Sequence, residues 1–358
     1  MTGTDRPGTE PVLLDGSESA GETQSLRTAL SLSLITGRPF RFTHLLARGE
    51  PPGLRPQHLA EIRGAEALGS GLSEGAVVGS TELSFTPGTV RPSDYVVELG
   101  PTGSAPELFL CLFYPLALAG GGRLTLRGST HLPSGASYPY LVGAWQPLAQ
   151  AYGLPVQFSL QHAGFYPDGG GDFSAEVHAP QAPPFRVELP ARGMLREVRV
   201  AACVGGLPFA LAERQSRAAV ALLRERGIHA EAENRPVSVT RSAGMATFVL
   251  AQFEFTLAGF LALGDRGRSP EDVGREAAGA LADFMEAGGA LDALLAQQIL
   301  LPAALLASGR LGPVTPGTTR FKVAGDREPL EAHARIIERF LAVKVTAGPD
   351  DMVEVSPV

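Results

Sequence analysis

The chain has 358 residues, 44% of them hydrophobic and 19% charged, enough for a sizeable core in more than one compact lobe. A net charge of −7 argues against charge-driven wrapping of nucleic acid. Two cysteines, Cys111 and Cys203, are too few for a disulfide framework or a cysteine zinc site, and their apolar flanks predict buried free thiols.

Residues 1–10 carry no apolar signal-peptide core and are expected to be disordered. No apolar run reaches about 18 residues, so no membrane span is predicted and the cytoplasm is the expected location. Leu108–Leu118, the longest candidate, is interrupted by Pro115 and reads as a buried helix.

Two segments repeat one pattern: Leu13–Phe42 (LLDGSESAGETQSLRTALSLSLITGRPFRF) and Val96–Leu126 (VVELGPTGSAPELFLCLFYPLALAGGGRLTL). Each runs from apolar strand to Gly/Ser loop, apolar helix, glycine stop and strand. The stops Gly37 and Gly121 lie about 84 residues apart, and Gly69 and Gly153 continue the register. Each unit is expected to finish with two strands, around Leu83–Phe85 and Tyr95–Leu99 in the first and around Val156–Leu160 and Phe173–Val177 in the second.

A region with its own pattern follows, from Pro190 to Leu263. It reads as a strand at Val198–Val204, an amphipathic helix at Pro208–Arg226, and strands at Val237–Val239 and Ala246–Phe255. A third, divergent copy opens with the Ser269-Pro270-Glu271 helix start. It continues with a helix at Leu294–Leu306, a strand near Phe321–Val323, a helix at Pro329–Leu341 and strands at Val343–Thr346 and near Val353. The expected fold is α/β (α+β), with three βαβαββ-type units about a pseudo-threefold axis and a smaller inserted α/β domain. Its expected bounds are 11–187 for the first two repeats, 188–264 for the insertion and 265–358 for the third repeat.

Two Gly/Ser loops, Asp15–Arg27 and Gly100–Ser104, precede helices whose N-termini suit anions, although capping alone explains such loops as well. Neither a P-loop nor a GxGxxG fingerprint is present. The turn GFYPDGGG, Gly164–Gly171, is more specific: glycines serve a tight turn, but that leaves Phe165-Tyr166-Pro167 unexplained.

This turn resembles the signature of RNA 3′-terminal phosphate cyclases. The opening loop with Asp15, Gly16, Gln24 and Arg27 is similar to that family too, as are PGLRPQHL (Pro52–Leu59), FTPGTVRPSDY (Phe85–Tyr95) and LPSGASYPYL (Leu132–Leu141). So are ALGDRGRSPEDVGREAA (Ala262–Ala278), LLAQQILLPAALLASG and IIERFLAVKV. The resemblance implies two-step activation: a histidine takes AMP from ATP, AMP passes to an RNA 3′-phosphate, and the 2′-hydroxyl closes a 2′,3′-cyclic phosphate. It implies ATP and Mg2+ or Mn2+ as cofactors and RNA 3′-phosphate ends as partner.

Carried over position by position, the resemblance implies Gln24, Arg27, Arg48 and Gln57 at phosphate and RNA, with Gly103, Ser104 and the run Leu294, Leu295, Ala296, Gln297 and Gln298 at ATP. Glu18 and Glu22 flank Ala20, which stands where the family carries a metal-associated glutamate. Other departures are Leu110 for a glutamine, and Leu294 and Gln297 for an aromatic and an aspartate. An ungapped alignment puts Pro329 at the nucleophilic histidine, with His333 one helical turn later as the displaced candidate. The alternatives are a catalytically inactive cyclase-like RNA-binding protein and an enolpyruvyl transferase. The transferase usually needs several lysines around its phosphates, and this chain has only Lys322 and Lys344.

Overall fold

The computed structural model describes residues 10–18, 23–184, 186–236, 240–312, 316–348 and 350–358. The expectation of disorder at the N-terminus, for residues 1–9, and of a strand at Val237–Val239 lies outside them. So do the Glu22 expectation and the Glu18 side chain.

The first unit is β1 (Val12–Asp15), α1 (Thr23–Thr36), β2 (Phe40–Thr43), α2 (Pro56–Gly69), β3 (Leu72–Glu74) and β4 (Leu83–Thr86). The second is β5 (Tyr95–Glu98), α3 (Ala105–Ala119), β6 (Gly121–Gly128), α4 (Tyr138–Tyr140), α5 (Gln146–Ala151), β7 (Val156–His162) and β8 (Gly171–His178). Then come β9 (Arg186–Leu189), β10 (Leu195–Gly205), α6 (Ala210–Glu225), β11 (Glu231–Ala232), β12 (Arg235–Pro236), β13 (Gly244–Phe253), β14 (Leu257–Leu263) and α7 (Pro270–Ala287). The chain ends with α8 (Ala293–Ala307), β15 (Thr318–Lys322), α9 (Glu328–Phe340), β16 (Val343–Ala347) and β17 (Met352–Pro357).

Three four-stranded sheets have one strand order: β1-β2-β4-β3, β5-β6-β8-β7 and β9-β15-β17-β16. In each, the first two strands are parallel and the other pairings antiparallel. Parallel neighbours need a crossover, and α1 and α3 supply it in the first two sheets. The shared order concerns connectivity alone and does not establish the pseudo-threefold axis. Tyr95–Leu99, expected to close the first unit, instead opens the second sheet as β5, and the short β3 takes the place in the first.

The third sheet is interrupted in sequence. Its opening strand β9 pairs with β15, and everything from β10 to α8 lies between them in the chain. Within that stretch, β10, β13 and β14 form an antiparallel sheet with short β11 and β12 beside β10. Helix α7 reads in sequence as the start of the third copy. In the structure its Val273, Ala277, Leu281 and Phe284 pack with α6 and the β13–β14 strands. The amphipathic pattern specifies a helix and its apolar face, not the sheet that covers it.

Local signals place the helix ends. Ser104 Oγ accepts from Glu107 N at the start of α3, Ser269 Oγ from Asp272 N at α7, and Asp292 Oδ1 from Leu295 N at α8. Helix α3 is buried nearly all round; its Phe109 and Phe113 meet Trp145 edge-on at 5.3 and 5.0 Å between ring centres. Each such ring contributes about 1.5–3 kcal/mol by leaving water. Cys111 is a buried free thiol as expected, and Cys203 a half-buried one. No helix among the described residues is long and apolar enough to cross a membrane.

Candidate active site

Helices α1, α3, α8 and α9 pack together, and each turns one polar stripe inward. On α1 the stripe is Gln24, Arg27, Thr28 and Ser31, and on α3 it is Glu107, Leu110, Cys111 and Tyr114. Both follow the i, i+3, i+4, i+7 spacing of a single helix face. Helix α8 adds Gln298 and Leu301, and α9 adds His333. Together they line a cavity of about 10 Å3, room for roughly one water molecule. Four residues nominated from sequence, Gln24, Arg27, Gln298 and His333, thus meet around one point.

Arg27 is the electrostatic centre. Its Nε and Nη2 donate to Glu61 Oε1 at 3.1 and 3.0 Å, and its Nη1 to Glu107 Oε2 at 2.8 Å. Burial works against the Arg27 charge, but the two carboxylates outweigh it and hold the proton more firmly than usual. Burial raises the carboxyl pKa of Glu61, which is fully buried, and Arg27 opposes that rise. Glu107 Oε1 also accepts from Ala136 N at 2.5 Å, tying the Leu132–Leu141 segment to the cluster.

His333 is 3% exposed, and neither ring nitrogen has a hydrogen-bond partner. Burial lowers its pKa from 6.5 to about 4; the Gln297 backbone acts in the opposite direction without completing a hydrogen bond. The ring is therefore neutral near pH 7, with unprotonated nitrogen available. Thr28 Oγ1, Ser31 Oγ and Tyr114 OH line the same cavity and are likewise buried without partners. Buried polar atoms are normally paired, so this cluster is the candidate site among the described residues.

The other nominated residues do not line this cavity. Gln57 is half-buried at the start of α2, beside His58. His58 Nδ1 accepts from Arg55 N at 3.1 Å, its Nε2 lies 3.4 Å from Thr23 Oγ1, and burial, Arg27 and Arg55 lower its pKa to about 4. Arg48 is exposed, with Nη2 donating to the Ser17 carbonyl at 3.3 Å. Gly103 is buried and Ser104 serves as the α3 cap. Of the α8 run, Leu295 and Ala296 are core residues, Leu294 and Gln297 are half-buried, and Gln298 reaches the cavity. Pro329 is half-buried in the first turn of α9.

Sequence reasoning missed Glu61, Glu107, Thr28, Ser31 and Tyr114. Glu107 carried a signal: Ser104-x-x-Glu107 is a capping-box pattern, and that local role hid the distant ion pair. The GFYPDGGG turn has a structural partner as well. Gly169 has φ +63°, and a Cβ there would lie 2.4 Å from the Pro101 carbonyl oxygen, so this turn rests directly on the second Gly/Ser loop.

Three mixed sheets of one strand order, a further sheet between the strands of the third, and a helix-walled polar cavity define an α+β protein. A family model described as RNA 3′-terminal phosphate cyclase matches residues 18–347. A protein of that name from Methylococcus capsulatus is 36% identical over 340 residues, covering 93% of this chain and 91% of its own length. Namesakes from Trichormus variabilis and Metallosphaera sedula are 33% and 31% identical, with 95% and 90% of this chain covered and 97% and 95% of theirs. The chain belongs to the RNA 3′-terminal phosphate cyclase family.

Proposed function

We propose that this chain cyclises RNA 3′-phosphate ends at the expense of ATP, with His333 as the AMP acceptor. The observation that carries the reading is a buried, neutral, unpartnered histidine in one cavity with Gln24, Arg27 and Gln298. A free imidazole nitrogen attacks the α-phosphorus of ATP and pyrophosphate leaves, giving a histidine–AMP bond. An oxygen of the RNA 3′-phosphate then attacks the same phosphorus and releases the imidazole. Finally the neighbouring 2′-hydroxyl attacks the RNA phosphate, loses its proton and expels AMP, closing the cyclic diester. Gln24, Gln57 and Arg48 serve the RNA phosphate, and Gln298 with its α8 neighbours and the Gly103-Ser104 loop serves the nucleotide.

A divalent cation, Mg2+ or Mn2+, would neutralise the triphosphate. Among the described residues no group of three His, Cys, Asp or Glu side chains could hold one, so no step is assigned to a protein-held metal. Glu18 and Glu22 are the carboxylates proposed near it.

A second reading, an RNA-end-binding protein without nucleotidyl transfer, draws on two observations. The cavity takes about one water, and the Arg27 guanidinium is already bound by Glu61 and Glu107. Incubation with α-labelled ATP and divalent cation, without RNA, separates the two. Acid-labile label on the wild type that vanishes in His333→Ala supports the first. Label that persists discards His333 as acceptor. A folded protein that takes no label yet binds RNA ends leaves the second.

A further inference from the structure

Helix α9 has a second working face. His333 points into the cavity, while Ala332, Arg335, Ile336 and Arg339 face the other way, at i, i+3, i+4 and i+7. With Asp15 and Thr43 they wall an open groove of about 390 Å3 between α9 and β1. We propose that this groove is the track for the sugar–phosphate backbone of single-stranded RNA upstream of its 3′ end. The proposal rests on the reading of this chain as a protein that handles RNA ends.

Charge is the first argument. The chain carries a net −7, so any surface that holds a polyanion must do so locally. Arg335 and Arg339 stand one helical turn apart on the groove wall, and Arg339 has no side-chain hydrogen bond or ion pair among the described residues. Arg48 extends the positive stretch, because its guanidinium sits on the Ser17 carbonyl just past Asp15. Two nearby carboxylates are already engaged: Asp15 accepts from Ser17 N at 2.8 Å and lies 2.9 Å from His44 Nδ1, and Glu338 pairs with Lys344 at 3.4 Å.

The second argument is the strand. β1 is the edge of its sheet, paired with β2 on one side only. An unpaired strand edge offers backbone donors and acceptors, the right complement for ribose hydroxyls. Arginines for phosphate and a strand edge for ribose, over the apolar Ala332 and Ile336, match a ribose–phosphate chain better than a free anion.

Direction is the third. Asp15 and Thr43 stand at the carboxyl ends of the parallel strands β1 and β2, where open α/β sheets place ligands. Helix α9 carries both His333 at the cavity and Arg335 and Arg339 at the groove, so a strand in the groove lies along the helix that presents His333.

The test is fluorescence anisotropy with a short single-stranded oligoribonucleotide ending in 3′-phosphate, titrated at several salt concentrations. Arg335→Gln/Arg339→Gln should weaken binding about tenfold and flatten the slope of log K against log salt by roughly 1.4, about 0.7 per lost phosphate contact. The control pair Arg217→Gln/Arg224→Gln on α6 carries the same charge change and should stay within about twofold of wild type. Equal weakening by both pairs, or no weakening by the first in a protein with wild-type melting, overturns the groove. An oligodeoxynucleotide of the same sequence binding as tightly as RNA overturns the role of the β1 edge. The labelling experiment uses ATP without RNA, so its failure and this one are read separately.

Discussion

Arg27 Nη1 donates to Glu107 Oε2 at 2.8 Å, joining helices of two different units across 80 residues of chain. Glu61, fully buried, takes the other side of the guanidinium. One positive charge thus holds two carboxylates, and Arg27 and Glu107 line the cavity together with His333 and Gln298.

Removing that charge strands two buried carboxylates. Arg27→Met should destabilise folding by about 3–5 kcal/mol, the usual cost of breaking a buried pair from one side. Urea unfolding monitored by circular dichroism measures it. A loss under about 1 kcal/mol would show that water reaches the cluster.

His333 should make folding sensitive to acid. Its folded pKa, about 4, lies below the ordinary 6.5, so the unfolded chain binds a proton that the folded chain refuses. Its stabilising contribution is therefore complete above about pH 6.5, falls as pH drops toward 4, and is level below that. At pH 5 the loss is about 2 kcal/mol for this one residue. His58 and His131 act in the same direction, while Asp292, whose pKa burial raises to about 6, acts in the opposite one. Urea titrations of wild type and His333→Gln at pH 7 and pH 5 isolate the His333 share. Parallel pH dependences would refute the buried neutral imidazole.

Pro329 and His333 compete for one role. If His333 accepts AMP, His333→Ala/Pro329→His stays unlabelled by α-labelled ATP. Label restored by the second substitution would return the nucleophile to the first turn of α9.

Asp292 separates capping from charge. It accepts from Leu295 N at 2.9 Å and from Tyr140 OH at 3.3 Å, at the start of the helix that carries Gln298. Asp292→Ala should cost about 1–2 kcal/mol. Asp292→Asn keeps an acceptor without a buried charge and should cost less than the alanine at pH 8, measured by thermal melting.

Gly169 tests the signature turn. Gly169→Ala puts a methyl against the Pro101 carbonyl at a φ of +63°, and should cost about 1–3 kcal/mol. The same substitution at Gly227, which has φ +73° but open space around its Cβ, should cost less.

Much of the fold was legible because its signals are local. Ser104, Ser269 and Asp292 cap the helices they precede, Gly37 directly follows α1, and Gly121 opens β6. β9 was not legible: RVEL sits among prolines, and its partner β15 lies some 130 residues on, beyond the whole insertion. The three-residue β3 is equally silent, since only pairing with β4 makes it a strand.

The site divides in the same way. Motif positions brought Gln24, Arg27, Gln298 and His333 forward as candidates, and sequence alone determined that this chain is built from cyclase motifs in order. Tertiary structure decided that Arg27 is shared by Glu61 and Glu107, and that His333 is neutral. The reason is physical: ion pairing and desolvation depend on atoms brought close from 34 and 80 residues away, and no local pattern records them.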